Sequence, residues 1–148
     1  EDPVSQDDLG GFALATAAFG QTTQLIGDDI LVTDADRVRK AAAAGAGNAV
    51  LVKVNQAGTV SKAKAALDAA KALGWGAIVS ARSGETEDVS ITHLAVGWDA
   101  GQLKVGSFAR SERMAKWNEL LRIEEAMGPD AVFAGASAFA PSVAAALG

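Results

Sequence analysis

Residues 48–80 read "NAVLVKVNQAGTVSKAKAALDAAKALGWGAIVS", and this stretch decides the fold class. The β-branched run at 48–55 predicts a buried strand, and residues 75–80 predict a second one. Between them, residues 59–74 have the amphipathic pattern of a helix that begins near Thr59. A strand, a helix and a strand in this order are typical of a parallel sheet.

The same pattern continues on both sides of that stretch. Further strands are predicted at 23–29 and 102–106, and further helices at 34–47, 87–101 and 110–128. Asp34 is the predicted N-cap of its helix. The last helix carries an apolar stripe and a row beside it, formed by Met114, Trp117, Leu120, Leu121, Ile123 and Met127. We therefore predict an α/β protein.

Composition excludes several classes of function. The chain has 148 residues, 49% of them hydrophobic and 21% charged, which suits one globular domain with a real core. No apolar run reaches the roughly 18 residues that a membrane-spanning helix needs. The net charge of −5 and the lack of a basic cluster disfavour nucleic acid as a partner. The chain contains no cysteine, which excludes disulfides and fits a cytoplasmic location.

Charged residues recur once per strand–helix unit, at or just past the predicted strand ends. They are Glu1, Asp28, Lys53, Arg82 and Lys104. A parallel sheet places all these ends on one edge, and in a (β/α)₈ barrel that edge is the active-site face. A dinucleotide-binding sheet is disfavoured because no G-x-G-x-x-G motif opens any of the helices.

The number of units predicts part of a TIM-type barrel. A complete (β/α)₈ barrel takes about 250 residues, so this chain corresponds to roughly half of one. The open sheet edges of a half barrel are prone to pairing with other strands. We therefore expect either a homo-oligomer or association with the missing half.

Glu1 and Asp28 are candidate metal ligands. Carboxylates at successive strand ends can share a hard divalent cation such as Mg²⁺ through their oxygen atoms. The alternative is a pair of solvated acids, with Asp29 capping a turn. Spacing alone does not decide between the two interpretations.

Lys53 and Lys104 interrupt apolar strands near their ends. Burial of a lysine favours its uncharged form, which makes Lys53 a candidate base. Two lysines facing two carboxylates also suit a substrate that becomes more negative in the transition state. The alternative is that Lys53 is paired structurally with a carboxylate.

The segment Arg82-Ser83-Gly84 combines a guanidinium, a hydroxyl and a flexible backbone. Such a set suits a phosphate or a carboxylate. The alternative is an ordinary loop in which Arg82 pairs with Glu85 or Glu87. Arg110, at the start of the last helix, is either solvated or directed toward the site.

His93 and the three tryptophans are expected to have structural roles. His93 is the only histidine and lies inside a predicted helix, where such a residue is more often a surface or packing group than a catalyst. Trp75, Trp98 and Trp117 are predicted to pack helices against the sheet.

Six motifs together resemble the C-terminal half of the catalytic barrel of enolases. In chain order they are "EDPVSQDD", "GDDILVTDADRV", "LVKVNQAGTVS", "SARSGETEDVSI", "GQLKVGSFARSERMAKWNELLRIEEAMG" and "FAGASAF". The resemblance covers residues 1–139, which we predict to be the C-terminal part of the barrel. Residues 140–148 form a tail without a motif.

The resemblance implies a Mg²⁺-dependent lyase of glycolysis that dehydrates 2-phosphoglycerate reversibly to phosphoenolpyruvate. It implies that Glu1 and Asp28 bind the metal and that Lys53 removes the proton α to the carboxylate. It also implies that Arg82 and Ser83 hold the substrate phosphate, and that Lys104 contacts the substrate carboxylate. The expected partner is therefore a small phosphorylated hydroxy acid.

The chain departs from the family pattern in two ways. Enolases usually have histidine where this sequence has Ala81, which removes a hydrogen-bonding group next to the substrate. The family's N-terminal capping domain, third metal carboxylate and general-acid glutamates have no counterpart in these 148 residues, so we expect a fragment with weak or no activity alone. A non-catalytic binding or assembly protein is the alternative. Another superfamily lyase or racemase is disfavoured by the phosphate-type loop.

Overall fold

The computed structural model describes residues 1–148, and its centre is one sheet of four parallel strands. The strands are β1 (Ile26–Gly27), β2 (Ala49–Val52), β3 (Gly76–Ser80) and β4 (Gly101–Lys104), and they lie side by side in chain order. Val52 pairs with Val79, and Ser80 pairs with Lys104, so the carboxyl ends of these strands are level. The predicted α/β class is confirmed.

Seven α-helices surround the sheet. They are α1 (Leu9–Phe19), α2 (Ala35–Ala43), α3 (Val54–Ala57), α4 (Val60–Ala72), α5 (Ser90–Gly97), α6 (Ser111–Met127) and α7 (Pro141–Ala146). The side chains of Asp34 and Thr59 accept hydrogen bonds from backbone N–H groups at the starts of α2 and α4, as predicted. No helix has both the length and the apolar character that a membrane span requires.

The two central strands are buried on both faces. Val50, Val52 and Val79 belong to the main core, which the helices cover. Leu51 and Ile78 point the other way and form a smaller apolar cluster with Ala49. This alternation follows from the two-residue period of a strand, and it explains why the sequence of β2 is apolar throughout.

Three strands end earlier than the sequence pattern predicted, and one of them, β4, ends at Lys104 rather than at residue 106. β1 stops at Gly27 because the N–H groups of Asp28 and Asp29 donate to the carboxylate of Asp2 at 2.9 and 2.8 Å. β2 stops at Val52, and the N–H of Lys53 donates to the hydroxyl of Thr33 at 3.0 Å. The predicted strand limits at 29 and 55 are therefore wrong. The backbone N–H groups after β1 and β2 donate to side chains from other parts of the chain and not to a neighbouring strand.

The prediction for the last helix is wrong in one respect. Leu121 of the apolar stripe and Met127 of the row beside it are 64% and 39% exposed, whereas Arg113 and Lys116 are buried. The two cations are buried because they reach carbonyl and carboxylate oxygens at the end of the sheet. The sequence patterns also gave no prediction for α1, whose two glycines and weak periodicity hide the helix.

Asn48 joins the loop before β1 to the start of β2. Its Oδ1 accepts from the N–H of Leu25 at 2.7 Å, and its Nδ2 donates to the carbonyls of Gly20 and Thr23, both at 3.0 Å. Asn48 is buried, so water does not replace these bonds if the side chain is lost.

We predict that Asn48→Ala lowers the free energy of unfolding by about 2 kcal/mol, because the buried N–H of Leu25 loses its acceptor and the carbonyls of Gly20 and Thr23 each lose a donor. Urea unfolding followed by circular dichroism measures the change. Gln21→Ala, an exposed change in the same loop, is the control and should alter stability by less than about 0.5 kcal/mol. Equal effects of the two variants would contradict this role of Asn48.

Candidate active site at the carboxyl edge of the sheet

The carboxyl ends of the strands enclose a polar cleft of about 590 Å³. Five of the six residues that the sequence singled out line it, namely Asp28, Lys53, Arg82, Ser83 and Lys104. The sixth, Glu1, reaches the same place by forming an ion pair with Lys104. The parallel register therefore brings together side chains that are up to 103 positions apart in the chain.

Lys53 and Asp28 form an ion pair at the ends of β2 and β1. Their side chains are only 12% and 8% exposed, so the pair is largely shielded from water. The second carboxylate oxygen of Asp28, Oδ1, is buried and has no hydrogen-bond partner. An ionised oxygen in that position is unfavourable unless a cation or a donor approaches it.

Lys104 and Glu1 form a second ion pair, closer to the solvent. Their side chains are 47% and 33% exposed. Together with the pair of Lys53 and Asp28, this places two carboxylates and two lysines at the same edge of the sheet. Each lysine thus faces a carboxylate on a different segment of the chain.

The two carboxyl groups differ in their affinity for a proton. Burial raises the pKa of Asp28 above its ordinary value, although the hydrogen bond and charge of Lys53 work against the rise. Burial also acts to raise the pKa of Glu1, but its hydrogen bond to Lys104, the charge of Lys104 and the contact with Asp28 outweigh it, and that pKa is lowered.

The carboxylates fit a divalent cation. Asp28 offers a buried oxygen without a partner, Glu1 lies beside it, and hard oxygen donors of this kind are those that Mg²⁺ prefers. Oxygens of Asp2, Asp28 and Asp29 also lie within 4.8 Å of one another. Both Asp2 oxygens already accept backbone N–H groups, so Asp2 shapes the turn after β1. The sequence analysis missed Asp2, since no local pattern indicates a partner 26 residues away.

The loop after β3 presents Arg82 and Ser83 to the cleft. The guanidinium of Arg82 donates to Oδ1 of Asn55 at 2.7 Å, and its backbone N–H donates to the carboxylate of Glu85 at 2.7 Å. The alternative in which the Arg82 side chain pairs with Glu85 or Glu87 is therefore wrong. Glu85 instead forms an ion pair with Lys116 of α6.

Ala81 forms part of the wall of the cleft. It is 8% exposed, and its N–H donates to the carbonyl of Lys104 at 2.9 Å, which continues the β3–β4 pairing. Its methyl group offers no hydrogen bond to a ligand. This position therefore contributes shape to the cleft, but no polar contact from its side chain.

The cleft suits an anion. Besides the three predicted cations, Arg110 and Arg113 line it, and the acids that line it are Asp28 and Asp29. Five cations and two carboxylates leave an excess of three positive charges, or two when Glu1 is included. Cations at the end of a parallel sheet attract phosphate and carboxylate groups.

The remaining candidates lie outside the cleft. His93 is exposed on α5, and its Nε2 lies 3.0 Å from a carboxylate oxygen of Glu119 on α6. Trp75 and Trp98 pack against the main core, as predicted. Trp117 stacks on Phe108 with the ring centroids 5.0 Å apart.

Comparison with known proteins agrees with this architecture. The family described as "Enolase, C-terminal TIM barrel domain" matches residues 1–142. An enolase of Solanum lycopersicum is 53% identical over 137 residues, which are 93% of this chain and 31% of the relative. The chain thus spans about a third of the length of this relative. With nearly its whole length matched, the chain belongs to the enolase C-terminal TIM barrel domain family.

Proposed function

We propose that this chain carries the substrate-binding and proton-abstracting part of an enolase-type hydro-lyase. Its reaction is the reversible dehydration of 2-phosphoglycerate to phosphoenolpyruvate in glycolysis, in the cytoplasm. The observation that supports this most is the set of predicted residues around one cationic cleft: Glu1, Asp28, Lys53, Arg82, Ser83 and Lys104. Family membership favours the same reaction over the racemase alternative.

Arg82 and Ser83 would bind the phosphate of the substrate. A guanidinium supplies parallel N–H donors that match phosphate oxygens, and the serine hydroxyl adds another donor. Asn55 holds the guanidinium of Arg82 at the edge of the cleft by accepting one of its N–H groups. The phosphate would therefore be fixed beside the end of β3.

Lys53 would be the base, and Lys104 would bind the substrate carboxylate. After its ammonium has given up a proton, the amine of Lys53 takes the proton from C2, and the electron pair of that C–H bond moves into the carboxylate to form an enolate-like dianion. Lys104 stabilises the added negative charge because an ammonium attracts the dianion more strongly than the ground-state carboxylate. The electron pair then returns from the carboxylate to form the C2–C3 double bond as hydroxide leaves C3, which gives phosphoenolpyruvate.

Glu1 and Asp28 would hold Mg²⁺ through their carboxylate oxygens. The bound cation would supply electrostatic stabilisation for the developing negative charge. Since Lys53 and Lys104 contact these same carboxylates, cation binding and lysine positions are expected to depend on each other. None of the six site residues is proposed to protonate the leaving hydroxyl. We therefore propose weak or no dehydration by this chain alone.

A non-catalytic role as a binding or assembly protein is the second candidate. Ala81 favours it, because the side chain at this wall of the cleft cannot hydrogen-bond a substrate. We also propose that the chain assembles with another copy or with further barrel strands. The reason is that β4 lies at the edge of the sheet and pairs only with β3, which leaves its other edge open to another strand.

Proton exchange at C2 of 2-phosphoglycerate in D₂O tests the proposed base without requiring loss of hydroxide. We predict exchange with the unmodified chain and Mg²⁺, measured by proton NMR, and a decrease of about 100-fold or more in Lys53→Met. Lys62→Met on α4 is exposed and serves as the control. Binding of the substrate without any exchange would contradict catalysis and support the second candidate.

We predict that Ala81→His increases the same C2 exchange rate by about tenfold, because an imidazole adds a hydrogen-bonding group to a partly desolvated site. Ala81→Leu controls for the added volume and should not increase the rate. If leucine and histidine have the same effect, the hydrogen-bonding explanation for Ala81 is wrong.

A further inference from the structure

Two cations of α6 are buried beside the cleft. Lys116 is 0% exposed and Arg113 is 4% exposed, and no other lysine or arginine of the chain is buried. Burial of an ammonium or a guanidinium is unfavourable by several kcal/mol unless its donors are paired. The hydrogen-bond partners of Lys116 and Arg113 therefore indicate the role of these two buried side chains.

The ammonium group of Lys116 has three oxygen partners. It lies 2.8 Å from the carboxylate of Glu85, and it donates to the carbonyls of Thr86 at 2.7 Å and Glu112 at 2.9 Å. A lysine has three N–H donors, so its hydrogen-bonding capacity is filled. Two of the three partners belong to the loop that follows β3.

Glu85 connects Lys116 to the backbone of Arg82. One of its carboxylate oxygens, Oε2, meets Lys116, and the other, Oε1, accepts the backbone N–H of Arg82 at 2.7 Å. The two bonds hold the Arg82 backbone at a fixed position relative to α6. The loop tip, Ser83 and Gly84, is exposed.

Arg113 connects the same loop to the end of β4. One of its terminal nitrogens donates to the carbonyl of Ser83, and the other donates to the carbonyl of Val105, both at 2.9 Å. Val105 directly follows Lys104. A single guanidinium thus sets the separation between the segment that carries Ser83 and the segment that carries Lys104.

We propose that Arg113 and Lys116 are positioning residues that hold Arg82 and Ser83 at a fixed distance from Lys104. They act through Glu85 and through backbone carbonyls. This inference rests on the proposed function, in which these three residues bind opposite ends of one anionic substrate. Displacement of a substrate-binding group by about 1 Å can reduce catalysis about 100-fold, so the fixed positions of Arg82 and Ser83 matter for the reaction.

Lys116→Met tests the inference, with Lys64→Met on the exposed face of α4 as the matched control. We expect the amide of Arg82 to exchange with D₂O about tenfold faster in Lys116→Met, measured by NMR, whereas the amides in the middle of α6 keep their protection. We also expect inorganic phosphate to bind about tenfold more weakly. Lys64→Met should change neither quantity.

The double variant Lys116→Met with Glu85→Gln covers the case in which the single variant fails to fold. It leaves no unpaired buried charge, and its glutamine can still accept the N–H of Arg82. We expect the double variant to fold and to recover part of the Arg82 protection.

Arg82 exchange as slow in folded Lys116→Met as in the unmodified chain would overturn the inference. If only the double variant folds, exchange as slow as in the unmodified chain would likewise overturn it, because only part of the protection is expected to return. So would equal loss of protection along α6, which would show that Lys116 merely holds the helix in place. If the unmodified chain fails to bind phosphate, the proposed substrate class is wrong, and the Arg82 exchange rate alone decides the positioning role.

Discussion

The parallel pairing of β1 to β4 in chain order is the constraint on which the site depends. The carboxyl ends of β2, β3 and β4 lie within one residue of each other, whereas β1 ends two residues earlier, opposite Val50. A shift of one residue in β2 would turn the apolar side chains of Val50 and Val52 away from the helices. The burial of this strand on both faces therefore also fixes the position of Lys53.

The charges at this edge are arranged so that none of the strand-end groups is isolated. Lys53 pairs with Asp28, and Lys104 pairs with Glu1. Such a network contributes little to stability, because desolvation offsets much of the attraction between buried charges. Its value lies in holding cations at places where an anionic ligand can reach them. The buried Asp28 oxygen without a partner is the one element of the network that a bound cation would complete.

Sequence alone predicted the elements whose causes are local. Asp34 and Thr59 cap helices within three residues of themselves, and Lys53 is conspicuous because it interrupts an apolar strand. Long-range contacts could not be predicted in this way. Asp2 precedes α1 in the chain, yet its carboxylate accepts the backbone N–H groups that follow β1. No periodicity in the sequence indicates that contact.

The burial of Arg113 and Lys116 was missed for a related reason. An amphipathic pattern assigns charged residues to the solvent face, whereas these two occupy the face that meets the end of the sheet. Their spacing of three residues places them on one side of α6, which is the only feature of the sequence that could have indicated a shared role.

Amide chemical shifts measured during a titration with phosphoenolpyruvate and Mg²⁺ test the central claim most directly. The claim is that the strand ends form one site for an anion and a cation. It predicts simultaneous shifts after β1, β2, β3 and β4, at Asp28, Lys53, Arg82–Ser83 and Lys104–Val105. Shifts confined to one of these segments, or located only around the exposed Leu121 and Met127 of α6, would contradict it.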